Sequence, residues 1–109
     1  MIQQQMEACL EACMACLRAC NECFDACLRE EHTGRMAECI RLDRECAEIC
    51  SLAISAMTRN SPFTKEICKL CARICEACGN ECNKHDHDHC RTCAEACFAC
   101  AKACAAMAE

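Results

Sequence analysis

Buried-type positions recur along this chain at alternating gaps of four and three, and cysteine occupies them. From the first such position the run is Cys9-x3-Cys13-x2-Cys16-x3-Cys20-x2-Cys23-x3-Cys27. Residues three and four apart share one face of an α-helix, so the run predicts a helix with thiols in the a and d positions of a heptad. Bundles ordinarily place Leu, Ile or Val there. The spacing C-x2-C-x3-C-x2-C-x3-C covers Cys13 to Cys27 and returns at Cys68 to Cys82 and at Cys90 to Cys104. Another segment keeps the register with fewer thiols: Cys39, Asp43, Cys46, Cys50, then Ala53 and Met57. Around the first stripe, small residues (Ala8, Ala12, Ala15, Ala19, Ala26) precede the thiols and larger ones (Leu10, Met14, Leu17, Phe24, Leu28) follow them. The small side lets helices approach; the large side asks for burial between helices or between copies of the chain.

Breaks in the pattern divide it into four helices, expected at about 2–30, 35–59, 62–83 and 87–107 of one domain spanning 1–109. The polar run Arg29 to Gly34 ends the first, with Gly34 as its stop. Asn60-Ser61-Pro62 separates the second from the third, with Ser61 as cap and Pro62 in the first helical position. The fourth begins inside His85-Asp86-His87-Asp88-His89, where either aspartate suits a cap. Four helices with short links predict an all-α fold, an antiparallel up-down-up-down four-helix bundle with a cysteine-lined core.

Composition sharpens this picture. Of 109 residues 19 are cysteine, while three are Phe and none is Trp or Tyr, so bulky aromatic filling is not the design. Two Gly and one Pro fit an all-helical chain. A net charge of −5 gives no basic face and argues against nucleic acid as a partner. The N-terminal Met1-Ile2-Gln3-Gln4-Gln5 does not read as a secretory signal, and no apolar run approaches a membrane span. The expectation is a cytoplasmic protein with reduced thiols, and an odd cysteine count fits poorly with a closed disulfide framework.

Buried cysteine can serve as a small hydrophobe, but 19 in one register exceed what packing asks. Most disulfides along a stripe would distort the helix: helical neighbours have Cβ atoms about 5–6 Å apart, against about 3.8 Å in a disulfide. A metal between two sulfurs spans the gap, so the C-x2-C and C-x3-C pairs read as ligand pairs. Soft thiolates suit Cu(I), zinc and iron-sulfur clusters. Zinc on four thiolates leaves a charge of −2 per site, costly when repeated in a dry core. One monovalent ion per thiolate leaves the core near neutral, which favours multiple Cu(I) ions per chain. Metallothionein-like zinc or cadmium buffering is the alternative. The candidate metal ligands are Cys9, Cys13, Cys16, Cys20, Cys23, Cys27, Cys39, Cys46, Cys50, Cys68, Cys71, Cys75, Cys78, Cys82, Cys90, Cys93, Cys97, Cys100 and Cys104.

The thiol ladders, the segment Ile40-Arg41-Leu42-Asp43-Arg44-Glu45-Cys46 and the run His85-Asp86-His87-Asp88-His89-Cys90 resemble the cysteine-rich copper storage proteins, cytosolic branch. The resemblance covers essentially the whole chain. It implies a bundle filled with thiolate-bound Cu(I), a homotetramer, and no catalytic activity. It also implies a histidine-bearing pore mouth at His87 and His89, with His85 beside them and Asp43 as acidic neighbour.

Topology points to the same end. In an up-down-up-down bundle the first and third links lie together, and His32, His85, His87 and His89 fall in or beside them. The opposite end gathers Met6, Met57 and Met107, together with Phe63; the three methionines read as an apolar plug, with extra thioether ligands as the alternative. Two other function classes are separated by metal count. A copper chaperone or sensor needs one or two exposed sites, whereas storage needs ten or more. An enzyme would need a base or nucleophile held apart from the ladder.

Overall fold

A stripe of buried positions must face another stripe, and the four segments achieve this around one axis. The computed structural model describes residues 3–109, among which there are four α-helices and no strand. They are α1 (Gln3–Leu28), α2 (Ala37–Thr58), α3 (Thr64–Cys82) and α4 (Asp88–Met107). A 3-10 turn, Thr33–Met36, leads into α2. Each helix packs on its neighbour in the chain, and α4 returns to pack on α1. The result is the expected antiparallel up-down-up-down bundle, 45 × 17 × 17 Å along its principal axes.

Most helix ends fall a residue or more inside the expected bounds, for local reasons. The expected start at Ile2 lies outside the described residues. Gly34 is not the stop of α1: the helix ends six residues earlier, at Leu28, and Gly34 has no positive φ. The left-handed residue is instead Asn60, at φ 55°. There the Ser61 N–H donates to Ala56 O (2.9 Å) and the Asn60 N–H to Met57 O (3.4 Å), which satisfies the last carbonyls of α2. Asn tolerates that conformation better than most residues. Ser61 does accept the Phe63 N–H at its Oγ (3.1 Å), but α3 starts at Thr64, so Pro62 stands in the preceding turn and not in the helix. Neither aspartate caps α4. Its N-cap is His87, extended and without a side-chain cap bond, while Asp86 and Asp88 both bind Arg91, at 3.1 and 2.7 Å.

All 19 thiols are fully buried. Neighbouring helices are joined outside this sulfur axis by half-buried aliphatics, among them Leu10, Leu17, Ile40, Leu42, Ile67 and Ile74. The expectation that every large flanking residue is buried is met only in part, since Met14, Leu28, Leu52 and Leu70 remain exposed on the chain's surface. Between α3 and α4 the Phe98 ring lies over Gly79, where a Cβ would come within 2.8 Å of it. A small residue there lets the ring fold down onto α3.

No buried side-chain nitrogen or oxygen among the described residues lacks a hydrogen-bond partner. A protonated thiol is itself a small apolar group. The bundle therefore needs no ion to close, unlike zinc-finger folds that collapse without metal. Metal-free, reduced protein is expected to give a strongly helical far-ultraviolet circular dichroism spectrum. A random-coil spectrum would overturn the preformed bundle.

Candidate metal centre

Helical spacing brings cysteines four apart into contact along one stripe: the Sγ atoms lie 4.0 Å apart in Cys9–Cys13, 3.9 Å in Cys16–Cys20 and 3.8 Å in Cys23–Cys27. Pairs across helices are closer still. Cys9–Cys104, Cys39–Cys82 and Cys46–Cys75 each stand at 3.5 Å. The diagonal helices meet through sulfur too, Cys16 with Cys75 and Cys50 with Cys100, both at 4.0 Å. A disulfide needs about 2.0 Å, and all 19 cysteines are free. Reading ligand pairs along single helices therefore captured half the arrangement; the closest partners belong to different helices.

These contacts merge into sets of four sulfurs lying within 4.8 Å of one another. One is Cys13, Cys71, Cys100 and Cys104; another is Cys23, Cys27, Cys39 and Cys90. Between them Cys16 and Cys46 belong both to a set with Cys50 and Cys75 and to one with Cys20 and Cys97. Cys20 and Cys97 then form a further set with Cys78 and Cys93. Shared sulfurs join the three middle sets; the Cys50–Cys71 contact (3.9 Å) carries the ladder on to the Cys13 set, and Asp43, which accepts from both Cys93 and Cys39, carries it on to the Cys23 set.

Asp43 interrupts the thiols of α2 and is fully buried. Its Oδ1 accepts from Cys78 (3.3 Å), Cys93 (3.4 Å) and Cys82 (3.5 Å), and its Oδ2 from Cys39 (3.8 Å). Burial pushes this carboxyl up to about 8, and negative charge at Cys93 and Cys39 acts in the same direction. Burial likewise raises Cys90 to about 12, assisted by charge at Cys39. Desolvation opposes charge on either group until a cation arrives.

At the end where the first and third links meet, His89 joins solvent to sulfur. Its Nδ1 lies 3.4 Å from Cys23 Sγ and 3.6 Å from Cys90 Sγ, while its Nε2 is 2.7 Å from Glu30 Oε2. His87 stacks parallel on it, with centroids 5.3 Å apart, and places Nδ1 3.5 Å from the same Glu30 oxygen. His85 is held by Glu81, Nε2 to Oε2 at 2.9 Å. His32, His85 and His87 line a cavity of about 360 Å³ together with Glu30, Glu31, Arg35, Met36, Lys84 and Asp86. From His89 a chain of contacts runs through Cys23, Cys27 and Cys39 to Asp43, in steps of 3.4, 3.8, 3.9 and 3.8 Å. The four predicted access residues thus lie at one end but at different depths. His85 and His87 lie at the cavity, His89 touches thiols, and Asp43 lies inside.

Sequence reading missed Glu30, which was taken only as part of a polar helix end. Its register held a clue: it stands three residues after Cys27 and continues the stripe. Glu81, the partner of His85, has no such signal. At the opposite end Met57 and Met107 are buried and Met6 half-buried, as an apolar plug requires, while Phe63 is 63% exposed.

A family model described as copper storage protein matches residues 2–109. The chain belongs to the copper storage protein family. Among solved structures, apo copper storage protein 3 from Bacillus subtilis is 64% identical, covering 94% of this chain and 98% of its own, with a TM-score of 0.91. The Cu(I)-bound copper storage protein BsCsp3 is 62% identical, with coverages of 96% and 99% and a TM-score of 0.93. A cytosolic copper storage protein from Streptomyces lividans, loaded with five coppers, is 39% identical, with coverages of 96% and 92% and a TM-score of 0.93. An uncharacterized cysteine-rich protein of Bacillus subtilis, YhjQ, is 62% identical over 88 residues, 81% of this chain and 82% of its own.

In this copper storage family member the buried carboxyl has a consequence for stability. An acid whose folded pKa is raised favours the fold fully below the unfolded value near 4, and that contribution is lost as pH rises towards 8. Metal-free Asp43→Asn protein is therefore expected to be more stable than the parent at pH 7.5, by on the order of a few kcal/mol, and so to melt at a higher temperature. The gap should narrow at pH 4.5. Thermal melts at both values check this; a gap independent of pH would assign the effect elsewhere.

Proposed function

We propose that this chain stores many Cu(I) ions on the thiolates of its 19 cysteines, as cargo and not as a catalytic cofactor. The observation that carries the reading is the continuous ladder of fully buried sulfurs in overlapping sets of four. A soft monovalent ion suits thiolate, and about one ion per thiolate removes the charge that burial resists. Zinc on four sulfurs has S–S distances of about 3.8 Å, so spacing alone would admit it. Sulfur sharing and charge speak against it: separate tetrahedral sites cannot each own Cys16, Cys46, Cys20 and Cys97, and each filled site would add −2.

The family and the relatives' copper-bound states support the same reading. We extend to this chain a cytoplasmic location, a role as a store with no catalytic activity, and assembly as a homotetramer. The exposed Met14, Leu28, Leu52 and Leu70 support contact between copies. A copper chaperone is a fitting donor at the histidine end, where His87 and His89 pass ions to Cys23 and Cys90, with His85 and Asp43 as outer and inner neighbours. Imidazole holds copper less firmly than thiolate does, so transfer runs inward.

Anaerobic titration of reduced protein with Cu(I), followed by mass spectrometry of the intact complex, is expected to saturate on the order of one ion per thiolate. Saturation at four or five ions would sink the storage reading in favour of zinc-like sites. A second measurement locates the mouth. Replacing His87 and His89 together by Ala is expected to slow uptake while leaving final capacity nearly unchanged, whereas Met6, Met57 and Met107 replaced by Leu leave the rate alone. A slow methionine variant beside a normal histidine variant would put the mouth at the other end.

A further inference from the structure

Outside the sulfur ladder, one carboxylate oxygen and two imidazole nitrogens converge on the rim of the histidine-lined cavity. Glu30 Oε2 stands 2.7 Å from His89 Nε2 and 3.5 Å from His87 Nδ1. We propose that these three atoms form a separate site for a borderline divalent cation of the zinc type, distinct from the thiolate core. The proposal goes beyond copper storage and stands whether or not Cu(I) passes this end.

Donor chemistry supports it first. Two imidazoles and a carboxylate suit zinc-like divalent ions, while Cu(I) prefers the sulfurs below. Geometry supports it next. Zinc bonds of about 2.0–2.2 Å at tetrahedral angles place two ligand atoms about 3.3–3.5 Å apart. The Glu30–His87 separation of 3.5 Å already matches. The Glu30–His89 contact of 2.7 Å is closed by a proton, and it opens by well under 1 Å when an ion takes that proton's place.

The two rings are stacked within 3° of parallel, so a shared ion needs one of them to turn into its reach, and His87, 41% exposed beside the cavity, has the room to do so. The far nitrogen of His89 is fixed by Cys23 and Cys90, at 3.4 and 3.6 Å. An outer partner of this kind orients a ligating imidazole. The cavity of about 360 Å³ beside His87 leaves room for water in a fourth position. Two of the competing charges there are already paired, Lys84 with Glu81 (3.3 Å) and Asp86 with Arg91 (3.1 Å). A cation at this point sits between solvent and the uppermost sulfurs, so it would slow exchange of ions with the core.

The test uses protein filled anaerobically with Cu(I), so that the thiols no longer compete. Filled protein is dialysed against Zn(II), and both metals are counted per chain. The expected result is about one Zn(II) retained with the Cu(I) count unchanged. Glu30→Gln and, separately, His87→Ala should each weaken Zn(II) binding by on the order of tenfold or more, while Met6→Leu changes nothing. Co(II) in place of Zn(II) should give ligand-field bands without thiolate-to-cobalt charge transfer. Four results would overturn the site: no Zn(II) retained, Zn(II) displacing Cu(I), a thiolate charge-transfer band, or unchanged binding in both variants. The Cu(I) count from the same samples separates a failure of the storage reading from a failure of this one.

Discussion

Everything in this bundle depends on how close four helices must come when their shared seam is sulfur. A cysteine side chain is shorter than leucine, so facing seams leave a void unless the backbones approach. Alanines beside the thiols permit that approach, and the bundle is only 17 Å across in both short directions. The closest sulfur pairs come from different helices, at 3.5 Å. Close approach also excludes water, which gives a core that protonated thiols tolerate and anionic ones do not.

That exclusion decides which cargo fits. Thiols must lose protons to bind metal, so each ion that arrives has to supply the charge that leaves. A monovalent ion does so one for one, and the ladder can fill without accumulating charge. Asp43 obeys the same constraint. In the second turn of α2 it replaces one sulfur with a carboxyl that burial keeps protonated to about pH 8, and thiols from α2, α3 and α4 surround it. It resembles its neighbours in charge while offering oxygen instead of sulfur.

The fold was legible because one periodicity carried it. A four-three stripe of a single residue type marks the buried face without ambiguity, and all 19 marked positions proved fully buried. Helix ends were less legible because they depend on backbone dihedrals that side-chain pattern does not encode. Asn60 adopts the left-handed conformation that Gly34 was expected to supply. The metal centre was half legible. Which thiols share a stripe follows from spacing, but which ones touch across helices depends on vertical stagger, and no one-dimensional pattern holds that. Glu30 was overlooked because a charged residue at a helix end has an ordinary explanation in solvation.

The two ends of the bundle show what the links contribute. Both short links at the histidine end carry ionisable side chains, and there the axis is reached through His89, which contacts carboxylate on one side and sulfur on the other. The opposite end is crossed by a single short link, Arg59 to Phe63, and the buried methionines Met57 and Met107 lie in register with the stripes. Helices with the same repeated stripe would make a bundle open alike at either end. The polarity of the molecule therefore comes from its non-repeating residues: the links choose where the sulfur column meets water, and the stripe determines what it can hold.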